Sequence, residues 1–123
     1  MNYLRLRMNY KTKDSGKRVE YSTGMKRDVN TNKPRYDLIY TPMLYRWAML
    51  MTRGAEKYGE RNWEKAKTQE EADRFKESAF RHFMQWFDGL DDEDHAAAIM
   101  FNVAAYEKIK TEVNDEEEDT KNT

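Results

Sequence analysis

Three features of the 123-residue sequence predict a mainly α fold, three substantial helices behind a basic N-terminal loop or small hairpin extension. Apolar residues recur at helical spacing in three stretches after residue 40. Each stretch is bounded by start or stop chemistry: Thr41-Pro42 with Gly59, Thr68-x-x-Glu71 with Gly89, and the acidic run Asp91–Asp94. Alternation of the two-residue period falls only near the N-terminus.

Leu4, Leu6 and Met8 alternate with Arg5 and Arg7, a short strand pattern with Arg18–Tyr21 as its expected partner across the Asp14-Ser15-Gly16 turn. A lone hairpin is marginal in water and needs a body to lean on. Residues 22–40 read as loop, broken by Gly24, Asn30, Asn32 and Pro34. Thr41 is the expected N-cap of the first helix and Pro42 its first residue. Leu44, Trp47, Ala48, Met51, Ala55 and Tyr58 form its apolar face, and Gly59 ends it.

Residues 60–67 connect to a second helix, opened by the Thr68–Glu71 capping box and running to about Asp88. Its stripe is Phe75, Ala79, His82, Phe83, Trp86 and Leu90. The third helix starts in the acidic run and runs to about Val113; it is apolar nearly all round from Ala96 to Ala105 and therefore central. Residues 114–123 carry five acids and one Lys and are expected to be a disordered tail. The domain plan is an extension over 1–40, a helical domain over 41–113 and the tail.

Composition narrows the class. Hydrophobic residues make up 38% and charged residues 37%, a thin core for the length, so a homo-oligomer is expected to complete it. Cysteine is absent, which excludes disulfides, thiolate zinc sites and a cysteine nucleophile. No apolar run approaches the ~20 residues that cross a bilayer, and the N-terminus lacks a signal-peptide core, so no membrane is expected and the location is cytoplasmic. Residues 1–36 hold ten Lys or Arg against three acids, a surface suited to phosphates of a nucleotide or a nucleic acid.

Both histidines flank Gly89. An antiparallel helix pair joined there gathers His82, Asp91, Asp92, Asp94 and His95, types that can hold a divalent metal. His95 and Asn102, two turns apart, share a face of the third helix with Asp91 or Asp92. The same residues also fit a plainer account. The acids cap a helix and favour its positive end, the imidazoles are satisfied in the core, and Asn102 bonds a neighbouring helix. Glu56 and Glu60 are a second-site metal pair or simply solvated. Lys57, Tyr58, Asn62, Trp63 and Lys65 cluster around Gly59, cations and aromatics that can hold a phosphate and stack a base. Arg81 stands beside His82 and meets a phosphate or a surface acid. No P-loop, dinucleotide fingerprint or nucleophile triad is present. Metal-assisted attack by water is the chemistry these residue types support best.

Taken in succession, Ser22-Thr23-Gly24-x-x-Arg27-Asp28, Lys33-Pro34-Arg35-Tyr36-Asp37-Leu38-Ile39, Arg53-Gly54-Ala55-Glu56-Lys57-Tyr58-Gly59 with Arg61-Asn62-Trp63, Arg81-His82 with Trp86, then His95 and Asn102 resemble the phage-type dATP/dGTP diphosphohydrolases. These are relatives of the MazG-like all-α nucleotide pyrophosphohydrolases. The resemblance spans about residues 22–107. It implies a MazG-like helical bundle, dimers or tetramers, and Mg²⁺-dependent cleavage between the α and β phosphates; the residue types by themselves suit Mg²⁺ or Mn²⁺. MazG-like enzymes carry E-x-x-E on one helix and E-x-x-D on the next, with an Asn seven residues after the Asp. Setting that Asn on Asn102 places His95 at the Asp and Asp92 at the preceding Glu, with His82 and Gln85 near the E-x-x-E region. The chain thus departs from the four-carboxylate pattern.

The expected activity is metal-dependent (d)NTP pyrophosphohydrolysis on purine deoxynucleotides. His82, Asp92 and His95 are its expected catalytic residues, with Asp91 and Glu56 as further metal ligands. Arg27, Lys33, Arg35, Lys57, Lys65 and Arg81 are expected to hold the triphosphate. Tyr58, Asn62, Trp63 and Asn102 are expected to meet the nucleoside. The alternative is a small nucleic-acid-binding or protein-interaction module using the basic N-terminal third.

Overall fold

The computed structural model describes residues 11–121. The chain divides into two units between Ile39 and Tyr40. In the first, β1 (Arg18–Glu20) pairs antiparallel with β2 (Lys26–Asp28), Arg18 opposite Asp28 and Glu20 opposite Lys26. The partner of Arg18–Tyr21 is therefore a segment expected to be loop, and the expected strand at residues 3–8 lies outside the described residues. The hairpin closes locally. Gly24, at φ 89°, donates its N–H to the Tyr21 carbonyl, and the Tyr21 N–H reaches the Met25 carbonyl, both at 2.8 Å. Glycine takes that positive φ without the clash a Cβ would bring.

The second unit holds α1 (Thr41–Tyr58), α2 (Gln69–Phe87) and α3 (His95–Lys121), with a 3₁₀ turn at Asn62–Lys65 between the first two. The mainly helical fold matches the expectation, with these differences. Tyr40, not Thr41, occupies the N-cap position of α1, with no side-chain capping bond; Thr41 and Pro42 are already in its first turn. The Thr68 box forms in full: the Thr68 hydroxyl accepts from the Glu71 N–H while the Glu71 carboxylate accepts from the Thr68 N–H. At the other end of α2, Gly89 at φ 80° donates to the Trp86 carbonyl and Leu90 donates to that of Gln85. This paired closure satisfies two orphan carbonyls and turns the chain back toward α3.

α3 begins where Asp94 caps it, Oδ1 accepting from the Ala97 N–H at 3.1 Å. It runs on to Lys121, where a disordered tail was expected. No Gly or Pro interrupts residues 95–121. A Lys108–Glu112 ion pair one turn apart supports the exit from the core, and Lys121 complements the negative helix end.

Contact is richest between α2 and α3. Ala97 and Ala98 are buried and let the helices approach closely; Ala66, Ala72 and Ile109 make the core beyond, flanked by Phe75, Tyr106 and Val113. α1 buries no residue completely. The α2 stripe is only partly inward: Phe75, Ala79 and His82 are half-buried, but Phe83, Trp86 and Leu90 are exposed. On its outer side Phe80, Phe83, Met84 and Phe87 follow one another at i, i+3, i+4 and i+7, and Phe80 and Phe87 are 67% and 70% exposed. One facing helix can cover one side of α2, and the sequence makes both sides apolar. No described helix is long and apolar enough to cross a membrane.

Candidate active site

The tight turn at Gly89 sets the end of α2 against the start of α3 and brings the two histidines together. His82 Nδ1 lies 2.9 Å from His95 Nδ1, and His95 Nε2 lies 2.8 Å from Asp92 Oδ1. A carboxylate only accepts, so His95 Nε2 carries the proton donated to Asp92. With His95 neutral, its Nδ1 accepts from His82 Nδ1–H, and His82 Nε2 is then the nitrogen that holds a lone pair. His95 is 2% exposed while the Asp92 side chain is 68% exposed, so the chain of bonds runs from solvent into the protein and back to a half-buried imidazole.

The charges are tuned accordingly. Burial pushes the His82 imidazole below its usual value, helped by His95 and Arg81 and opposed by Glu93 and Asp92. The hydrogen bond from His95 holds the Asp92 carboxyl below the usual carboxylate range. Asp94 is held low as well, chiefly by Arg46, whose guanidinium grips it bidentately at 2.6 and 2.8 Å. Two of the four carboxylates of the acidic run thus have separate work: Asp94 caps α3 and ties it to α1, and Asp92 orients His95.

This cluster borders a cleft of about 810 Å³ lined by His82, Asp91, Asp92, Glu93 and Asn102 and by Arg46, Leu50 and Arg53 of α1. Leu50, Arg53, Glu93 and Phe101 also line a second cleft of about 390 Å³, which continues to Lys57, Tyr58, Asn62 and Trp63. The acidic end and the aromatic, cationic end are therefore contiguous. Lys57 Nζ sits 5.1 Å above the Tyr58 ring, and Trp63 meets Phe101 edge-on at 5.5 Å.

Asp91, Asp92, His82, His95 and Asn102 are thus brought together, with Lys57, Tyr58, Asn62 and Trp63 in the adjoining cleft. Asn102 is buried, but its amide donates to the Ala98 carbonyl of its own helix at 2.8 Å rather than to a neighbouring helix. Glu56 and Glu60 are exposed and line neither cleft. Lys65 and Arg81 are exposed and also outside both; Arg81 reaches Ser78 Oγ at 3.5 Å. Arg27 and Lys33 line a shallow recess of the first unit, and Arg35 is occupied by Asp37 through two hydrogen bonds.

Sequence spacing missed Glu93, whose carboxylate groups with Asp92 and His95, ligand atoms all within 4.8 Å of one another. It also missed Arg46 and Arg53. Seven residues separate them on α1, which is two turns, and that face turns to α3 although the apolar stripe lies beside it. One turn from His82, Gln85 Oε1 is buried with no hydrogen-bond partner among the described residues.

A family model described as dATP/dGTP diphosphohydrolase, N-terminal, matches residues 23–121. No curated protein and no solved structure gives a significant match. The match takes in the hairpin strand β2, all three helices and every residue of both clefts, and it agrees with the resemblance carried by the Arg53–Gly59, Arg81-His82 and His95–Asn102 segments. This chain belongs to the dATP/dGTP diphosphohydrolase N-terminal family.

Proposed function

We propose that the protein is a metal-dependent pyrophosphohydrolase of purine deoxynucleoside triphosphates, releasing a deoxynucleoside monophosphate and pyrophosphate. The observation that carries this reading is the continuity of the Asp92–His95–His82 cluster with the cleft at Tyr58 and Trp63. Together they offer carboxylates for a hard cation, an imidazole with a free lone pair, and an aromatic, cationic pocket.

The donor set suits Mg²⁺ or Mn²⁺, which favour oxygen ligands. Asp92 and Glu93 would hold the ion, with Asp91 lining the same cleft. Both ring nitrogens of His95 are engaged, so it serves as the positioning residue that fixes the Asp92 carboxylate rather than as the direct ligand expected from spacing. When bound, the ion supplies charge neutralisation at the phosphates and a more acidic water. His82 Nε2, kept unprotonated by burial, takes a proton from the attacking water. Water oxygen bonds to the α-phosphorus, the bond from that phosphorus to the bridging oxygen breaks, and pyrophosphate leaves with the electron pair. Incubating the protein with each common NTP and dNTP and Mg²⁺ or Mn²⁺ is expected to give pyrophosphate and monophosphate from dGTP and dATP first. Release of orthophosphate, or no release at all, would contradict this reading.

The exposed face of α2 belongs to the same proposal as a homo-oligomer contact, since Phe80, Phe83, Met84 and Phe87 together form an apolar surface of the kind subunits bury. Light scattering is expected to give a dimer or tetramer of the 14.8 kDa chain, and Phe87→Glu to shift it toward monomer. A wild-type monomer at micromolar concentration would rule the contact out.

A further inference from the structure

Four of the five glycines sit at turns with φ between 80° and 96°, where the backbone itself calls for glycine. Gly54 is the exception. It lies inside α1, where alanine is the more stable choice. A Cβ built there meets nothing within 4 Å, so no neighbour in the described chain demands its absence. The space it leaves opens into the cleft that also holds Lys57, Tyr58 and Trp63.

Arg53 is the adjacent residue. It lines both clefts, at their junction with Glu93. Other arginines nearby are committed, Arg46 to Asp94 and Arg61 to Glu64 at 2.9 Å. Arg53 makes no hydrogen bond or ion pair among the described residues, although its charge is felt at Asp94. A guanidinium left unpaired beside a carboxylate cluster is placed to grip an anion that a cation at that cluster also holds.

We propose that Arg53 and Gly54 form the seat of the bound nucleotide on α1. Arg53 grips the polyphosphate where the two clefts meet, and the bare backbone at Gly54 lets the nucleoside lie against the helix beside Tyr58 and Trp63. This rests on the nucleotide-hydrolysing reading above and adds to it which surface of α1 sets affinity.

The test uses the full chain and the variants Gly54→Ala, Arg53→Gln and Arg53→Lys, with dGTP as substrate and its α,β-methylene analogue as a non-hydrolysable probe. Melting temperature, oligomer mass, kcat, KM and calorimetric Kd with Mn²⁺ are read for each. Gly54→Ala is expected to melt no lower than wild type and yet to raise KM and Kd about tenfold or more, because a helix-favouring methyl occupies ligand space. Arg53→Gln is expected to raise both by about tenfold or more, with Arg53→Lys between, since lysine keeps the charge and loses the fork. Wild-type turnover with unchanged KM and Kd in Gly54→Ala and Arg53→Gln overturns the seat and leaves the hydrolase reading intact. A changed oligomer mass in Gly54→Ala also overturns it, by showing that the bare backbone faces a second copy. Variant-sensitive binding without wild-type hydrolysis supports the seat and overturns the hydrolase reading. A wild-type chain that neither binds the analogue nor hydrolyses dGTP overturns both.

Discussion

Asp92→Asn is expected to stop pyrophosphate release almost completely while the helices persist. Asn keeps an oxygen that can accept from His95 Nε2–H, so the buried imidazole remains partnered. It presents an uncharged amide in place of the second carboxylate oxygen and removes the negative charge that a divalent cation needs. A fall in kcat of about 100-fold or more is the scale for losing a metal-holding or proton-handling group, with an unchanged helical circular-dichroism signal. His82→Gln is expected to lower kcat comparably by removing the lone pair at Nε2. His95→Ala is expected to combine that loss with a lower melting temperature, because it opens a cavity and strips partners from both His82 and Asp92. Wild-type turnover in both Asp92→Asn and His82→Gln would move the chemistry away from this cluster.

The pH profile adds an independent signature. Burial depresses His82 in the folded protein below its ordinary 6.5, so the unfolded chain takes up the proton first. Its contribution to stability is complete above about 6.5 and is lost as pH falls through the depressed folded value. Asp92 and Asp94 are also depressed, from 3.8, so theirs is present above that value and lost only as pH falls through the depressed values. Melting temperature is therefore expected to decline as pH falls below about 6.5 and further as the two carboxylates titrate below 3.8, and His82→Gln to remove the imidazole's share of the decline. The acidic limb of kcat/KM is expected below 6.5 for the same reason, and to vanish in His82→Gln if any activity remains.

Much of this arrangement was readable from local chemistry. A Thr-x-x-Glu box, a glycine past a helix end and a proline in a first turn act within a few residues, and each stands where the structure uses it. The His82–His95 pairing was accessible because both lie either side of Gly89 on consecutive helices. The remainder depends on which side of a helix meets its neighbour, which local sequence does not encode. Arg46 and Arg53 look like surface charges until α1 is turned toward α3, and the residue that holds Arg46 is 48 positions away. Glu93 sits in a run of four acids whose separate tasks are set by the helix start rather than by composition. The end of α3 shows the opposite case: residues 114–121 have the acidic, polar composition of a disordered tail, yet they hold no Gly or Pro and continue the helix.

Asp94→Ala is expected to loosen the site from a different direction, through α1. The Asp94 carboxylate has two duties: it caps α3 through the Ala97 N–H and it anchors Arg46 bidentately. α1 has no fully buried residue, so this clamp matters more to its placement than an ion pair usually would. The pair is not sealed from water, with side-chain exposures of 46% for Arg46 and 19% for Asp94, and such pairs alone contribute modestly. Loss of a helix cap is the larger part, and the melting temperature is expected to fall by about 5 °C. Asp94→Asn keeps a capping oxygen and loses the charge, and Arg46→Met loses the clamp alone, so both are expected to melt between Asp94→Ala and wild type. Their shared effect should be on substrate affinity: α1 carries Arg53 and Lys57 to the clefts, and on the proposed mechanism a less firmly held helix raises KM while kcat, assigned there to Asp92 and His82, changes less. If Asp94→Ala and Arg46→Met both keep wild-type KM, α1 is held in place by its packing on α3, and the clamp is a surface pair without consequence for the site.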